Sequence, residues 1–191
     1  MVRITSREQI PEALKEICRR QQPSFQGGYI LDGGTHFVAV LRILLAALGR
    51  KVTTVSAFTS LLQKTLPPID TLHAILRTDD GRTGSYICSV GLESKLGMEF
   101  EVVTNKGSII YRPFQMHIAT KLRTADGKWE EKTEPAPIIW GVKEEIAAFA
   151  QGITAGTLDW KLSAAEALED LKIVEAMIKS GEQIGVPINI A

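Results

Sequence analysis

Two short polar turns, Asp79-Asp80-Gly81 and Asn105-Lys106-Gly107, set the tightest limit on what this chain can fold into. Each sits between apolar-rich runs of strand length. Leu72 to Arg77 leads into the first turn and Thr83 to Val90 leaves it. Glu99 to Val103 and Ser108 to Tyr111 flank the second. Strands joined by so few residues must run antiparallel, because a parallel crossover needs a dozen residues or more. Val52 to Phe58 and Gln115 to Leu122 read as two further strands, which makes five or six in all. Thr124 to Pro137 is polar, holds Asp126-Gly127 and two prolines, and reads as an exposed loop.

Helical periodicity brackets this region. Ser6 to Gln22 predicts a charged helix, with Ser6 as cap and Ile10, Leu14 and Ile17 at helical spacing. From Gly33 to Leu45 the chain is apolar nearly all round, as a buried helix would be. Ile146, Phe149, Ala150 and Ile153 form the stripe of another helix. Ser163-Ala164-Ala165-Glu166 is a capping box. It opens a last helix with the stripe Ala167, Leu168, Leu171, Val174 and Ile178, stopped by Gly181. The expected fold class is therefore α+β: an open, mostly antiparallel sheet with helices packed on one face. The other sheet face needs a cover, which a second copy of the chain can supply.

With 191 residues, 45% hydrophobic and 23% charged, the chain can bury a core unaided. Its 22 basic and 22 acidic residues balance, so no long-range attraction to nucleic acid or an anionic membrane is expected. The longest apolar stretch, Phe37 to Leu48, is interrupted by Arg42 and too short to span a bilayer. Cys18 and Cys88 are too few and too far apart for a disulfide framework or a zinc site, and Cys88 reads as a buried small hydrophobe. A reducing, cytoplasmic setting fits.

Asp32 and His36 stand out chemically. A carboxylate four residues before an imidazole shares its helical face, fixes its tautomer and raises its basicity, as acid–base work near neutral pH requires. The competing reading makes Asp32 a plain helix cap and His36 a core residue with one hydrogen bond. His73 and His117 read as structural or surface residues, with no metal site. Neither Gly-x-Gly-x-x-Gly nor Gly-x-Ser-x-Gly occurs, so no cofactor-binding residue and no nucleophile elbow is assigned.

The run Phe25-Gln26-Gly27-Gly28-Tyr29-Ile30-Leu31-Asp32-Gly33-Gly34-Thr35-His36-Phe37 closely resembles the opening of the C-terminal domain of the Gfo/Idh/MocA oxidoreductases, fungal-type members above all. Leu66-Pro67-Pro68-Ile69-Asp70-Thr71, Asn105-Lys106-Gly107-Ser108 and the stretch from Leu162 to Gly181 follow in the family's order. On this likeness 23–191 is the family's substrate and oligomerisation domain and 1–22 a helical segment foreign to it.

The resemblance implies that His36 is the catalytic histidine and Asp32 its partner. It also implies that Gly28 and Thr35 lie against substrate, and that NAD or NADP is bound by an N-terminal Rossmann domain outside this sequence. The family's catalytic lysine belongs to that domain, and Ala39 stands where many relatives carry Asp. The expected function is thus the substrate side of an NAD(P)-dependent oxidoreductase for a sugar, polyol or diol, incomplete for redox alone and dimeric through its sheet. The alternatives are a cofactor-independent isomerase, lyase or cyclase that reuses the Asp32–His36 pocket, and a non-catalytic dimerisation or binding module.

Overall fold

A computed structural model describes residues 1–7, 27–92, 94, 96–139 and 141–190. The strands are β1 (Val2–Arg7), β2 (Val52–Ser60), β3 (Thr71–Thr78), β4 (Thr83–Ser89), β5 (Gly97–Thr104), β6 (Gly107–Arg112), β7 (His117–Arg123), β8 (Trp129–Pro135) and β9 (Ile188–Asn189). The helices are α1 (Gly28–Asp32), α2 (Gly34–Ala46), α3 (Val142–Ala155) and α4 (Ala164–Glu182). All nine strands form one open sheet in the order β8-β7-β6-β5-β1-β4-β3-β2-β9. Both predicted hairpins form, β3–β4 and β5–β6.

The α+β class with an open, mostly antiparallel sheet holds, but the strand count was low for three separate reasons. β1 pairs parallel with β4 and antiparallel with β5, joining the two hairpins into one sheet. Ser6 and Arg7 belong to that strand, so Ser6 caps no helix; the rest of the predicted 6–22 helix, with Cys18, lies outside the described residues. β8 occupies the segment read as a loop. Its sequence Trp-Glu-Glu-Lys-Thr-Glu-Pro is exposed throughout, so no apolar alternation marks it. Pairing with β7 forms it, helped by an ion pair of 2.6 Å from Lys121 to Glu131 across the register. β9 is two residues long, below what periodicity detects.

β3 shows why the sheet has two unlike faces. Leu72, Ala74 and Leu76 are buried while His73, Ile75 and Arg77 are exposed, the period of two that a one-sided strand requires. The inward side chains meet Val38 and Leu41 of α2 and Val174 and Met177 of α4 in a single core. Burying each of these contributes about 1.5–3 kcal/mol.

α2 is not buried all round: Phe37, Val38, Leu41 and Leu45 face the core while Ile43 is exposed. Together α1 and α2, Gly28–Ala46, are long and apolar enough by length and composition to cross a membrane, a test that a core helix packed on a sheet also passes.

In α4, Ser163 accepts from the Glu166 amide at 3.3 Å, as the capping box predicts. The Glu166 carboxylate instead takes Arg42 of α2 at 2.7 Å, and Arg42 also binds Asp170 at 2.7 Å. Burial works against the Arg42 charge, but the hydrogen bonds it donates to Asp170 and Glu166 outweigh it and hold the guanidinium above its ordinary pKa. The buried face of α4 is Ile173, Val174, Met177 and Ile178, with Leu168 and Leu171 left exposed, so the predicted stripe was rotated at its start.

Gly181 does not stop α4 either, because the helix runs on to Glu182. A Cβ at 181 would stand 2.5 Å from Thr59 Cγ2 of β2, so the glycine is there for close approach between helix and strand. Gly181→Ala tests this. Helix propensity alone favours alanine by about 1 kcal/mol, whereas the clash costs roughly 1–3 kcal/mol. We expect net destabilisation in urea unfolding; a gain in stability would show that Thr59 yields freely.

Candidate active site at the α1–α2 junction

The glycine-rich run builds a bent start to the main core helix. Gly27 (φ 88°) and Gly28 (φ 47°) adopt left-handed conformations, which glycine alone takes without strain. α1 then makes one turn and passes through Gly33, in ordinary right-handed geometry (φ −78°, ψ −36°), into α2. Asp32 is therefore the last residue of α1 and not the N-cap of α2; that position is Gly33, with no side-chain cap bond. His36 is exposed, so it is no core histidine. Both observations go against the plain-cap and buried-core reading. Because the backbone stays helical across Gly33, Asp32 and His36 stand one turn apart on one exposed face.

The junction is held from both halves of the sheet. Tyr86 of β4, fully buried, donates from its hydroxyl to the Gly34 carbonyl at 2.8 Å. A Cβ at 34 would lie only 3.0 Å from that oxygen. Next to His36, the Phe37 ring sits 6.4 Å from Phe100 of β5, which stacks at 6.0 Å on Tyr111 of β6. Aromatic pairs at such distances contribute about 0.5–1.5 kcal/mol beyond area burial.

A second brace comes from the β2–β3 connection. The buried Asp70 carboxylate accepts from the amides of Leu62 at 3.0 Å and Gln63 at 2.7 Å, and from the Thr71 hydroxyl at 3.0 Å. This fixes the loop that carries Pro67 and Pro68 onto α1, where a Cβ at Gly28 would come within 2.7 Å of the Pro67 carbonyl oxygen.

Of the residues assigned from the sequence, Asp32, Thr35 and His36 cluster at the exposed junction, while Gly28 lies buried under Pro67 and Pro68. The Thr35 hydroxyl donates back to the Leu31 carbonyl, so toward a ligand it has only lone pairs to offer. His73 and His117 sit apart on β3 and β7. Among the described residues no three His, Cys, Asp or Glu side chains are grouped to hold a metal. Nor do the described residues fit a dinucleotide. The sheet has one parallel pair, and the junction glycines pack on Ile178, Pro67, Tyr29 and Tyr86 rather than framing a phosphate. Sequence reasoning missed Tyr86 and Asp70 as supports, since neither a buried tyrosine nor a lone aspartate has a spacing signature.

A family model described as the oxidoreductase family C-terminal alpha/beta domain matches residues 13–190. The chain belongs to the Gfo/Idh/MocA oxidoreductase family. Dehydrogenase FPY6 of Fusarium mangiferae is 37% identical over 163 residues, covering 84% of this chain and 46% of that protein. An oxidoreductase from Thermotoga maritima superposes with a TM-score of 0.80 at 24% identity, over 99% of this chain and 53% of that one. A levoglucosan dehydrogenase solved with NADH gives 0.78 at 18% identity, over 100% and 58%. These structural likenesses show the fold. The chain spans about half the length of the relatives it matches.

Tyr86→Phe removes one buried hydrogen bond, so we expect a loss of about 1 kcal/mol in urea unfolding. The His36 ring resonances should shift with it. Unmoved His36 signals would mean that Phe37 alone sets the junction.

Proposed function

We propose that this chain is the substrate-side domain of an NAD(P)-dependent oxidoreductase acting on a sugar, polyol or diol, with His36 as acid–base residue and Asp32 as its partner. The observation that carries the reading is the exposed Asp32–His36 face on a braced helix junction, in a member of an oxidoreductase family. An exposed imidazole one turn from a carboxylate can take the proton from a substrate hydroxyl during oxidation and return it during reduction. Asp32 favours the protonated ring once formed and orients it. Thr35, with its hydroxyl hydrogen engaged, accepts a hydrogen bond from a second substrate hydroxyl, while Gly28, buried under Pro67 and Pro68, serves by seating α1. Hydride transfer belongs to a nicotinamide held outside this chain. NADH in a levoglucosan dehydrogenase of the same fold supports that division of labour.

The test places this chain in the matching half of the Fusarium dehydrogenase. We expect nicotinamide-linked turnover of a hydroxylated substrate, lowered by at least about 10²-fold in His36→Ala. Calorimetric titration of the isolated chain with NAD(H) or NADP(H) should give no heat of binding. Micromolar affinity there would overturn the division of labour. Substrate conversion by the isolated chain without nicotinamide would favour an isomerase, lyase or cyclase instead.

The same reading gives the chain a second copy on the sheet face opposite α2 and α4, in a cytoplasmic setting. Ile75 lies there, 58% exposed, in one row of the register with Ser85, Arg3 and Glu101 of β4, β1 and β5. Sedimentation should show a dimer that Ile75→Glu dissociates; an unchanged dimer would place the interface elsewhere.

A further inference from the structure

Between the last turns of α2 and the start of α4 lies a cavity of about 240 Å³. Ala39, Ile43, Ala46, Ile173 and Ile190 give it an apolar lining, together with Trp160, which is 58% exposed on the turn before α4. Asp159 sets that turn by accepting from the Lys161 amide at 3.0 Å, and the Lys161 ammonium stands 5.9 Å from the indole centroid. The rest of the lining is charged, and its charges are matched. Arg42 is held by Glu166 and Asp170 at 2.7 Å each, Arg50 by Asp80 at 2.6 Å, Lys161 by Asp159 at 3.2 Å and Glu169 by Lys172 at 2.7 Å. The Lys172 hydrogen bond holds the Glu169 carboxyl below its ordinary pKa, and the nearby charge of Lys51 adds to the effect.

We propose that this cavity binds a neutral sugar ring that does not itself react. Size is the first argument. An apolar cavity of about 150 Å³ takes one benzene, so about 240 Å³ suits a single six-membered ring with its substituents. Charge is the second. An ionic ligand could bind here only by parting an existing pair and leaving a half-buried charge alone, which is costly. Neutral hydroxyls part nothing. Arg42 takes one oxygen of each of the Glu166 and Asp170 carboxylates, and the other oxygen of each remains an acceptor for a hydroxyl. The third is the indole. A pyranose has a face of polarised C–H groups, and the electron-rich face of Trp160 attracts these as it does the Lys161 ammonium. Ala39, at one end of the cavity, stands one turn from His36. Ala46 lies about 15 Å along α2 from His36. A ring in the cavity therefore lies beside the proton site and not in it. That the ring does not react rests on the functional reading above; that it binds does not.

Titration of the full chain followed by NMR decides the point, with isotope labels on indole nitrogens, isoleucine methyls and histidine rings. The probes are the methyl pyranosides of glucose, galactose, mannose and xylose, with myo-inositol as a neutral polyol and benzoate and inorganic phosphate as charged controls. We expect at least one pyranoside to shift the Trp160 indole and the Ile43 methyls saturably, with a Kd near millimolar, while the His36 ring stays unmoved. Neither charged control should saturate these signals. Trp160→Ala should weaken binding by at least about 10-fold, since the ring loses its platform. No saturable shift with any pyranoside up to about 100 mM overturns the proposal. So does saturation by benzoate or phosphate, which would make the cavity an anion site, or by myo-inositol alone, which would remove the part given to the pyranose face. Shifts confined to the His36 ring overturn the cavity site and leave the functional reading standing. If Trp160→Ala does not fold, Ile43→Phe decides in its place, because it fills the lining from an exposed helix position: weakened binding upholds the site, and unchanged binding overturns it.

Discussion

The bond from the Tyr86 hydroxyl to the Gly34 carbonyl is the contact on which the functional end of this molecule depends. It joins the middle of the sheet to the first turn of the helix that carries His36. A buried hydroxyl left without an acceptor costs about 1–3 kcal/mol, so sheet and helix must approach closely enough for it to form. At that approach a Cβ at position 34 would press on the hydroxyl at 3.0 Å, tighter than an ordinary contact. The same economy operates at Gly28, where the carbonyl of Pro67 occupies the place of a Cβ. The glycines that look from the sequence like an opening for a ligand are first of all the means by which α1 and α2 settle onto their own scaffold.

This bears on how Asp32 and His36, the pair proposed to handle a proton, can be both exposed and well placed. A side chain at the surface is ordinarily free to wander, and catalysis needs it held within a fraction of an ångström. Here the precision comes from beneath. Phe37 is buried directly after His36, and its ring rests on Phe100, which in turn rests on Tyr111. The Asp70 carboxylate, satisfied by two amides and a hydroxyl, fixes the loop that supports α1 from the other side. The outer face of the junction is left polar and open while its inner face is locked. That is the distribution the proposed function asks for.

Much of the architecture was legible because turn chemistry and periodicity are local. Asp80-Gly81 and Lys106-Gly107 mark hairpins whatever surrounds them, and both form. What stayed hidden was decided by partners remote in sequence. β1 is a strand because β4 and β5 leave a slot between them, and its parallel pairing cannot be read from six residues. β8 has no apolar alternation and exists through β7 alone. Gly181 carries the sequence signature of a helix stop but serves contact with Thr59, 122 positions away. The Asp32–His36 spacing was readable for the same local reason as the hairpins. Its setting was not, since neither Tyr86 nor Asp70 announces that it braces a helix some 50 or 40 positions earlier.

The charge distribution fits a domain built to be one wall of a larger site. Arg42 spends its guanidinium on Glu166 and Asp170, locking α2 to α4. Arg3 and Arg112 spend theirs on Glu99, with Arg3 also meeting Glu101. Among the described residues, Arg42, Arg3 and Arg112 are thus engaged inside the domain rather than offered to a phosphate. A dinucleotide carries two phosphates, whose recognition calls for free backbone amides at a helix N-terminus or for unpaired cations. Among the described residues, the tight places of the glycine-rich junction are filled by Pro67, Tyr29 and Tyr86 rather than left open to a phosphate. The proton transfer proposed for His36 makes no such demand, since an exposed imidazole with a carboxylate one turn away suffices for it.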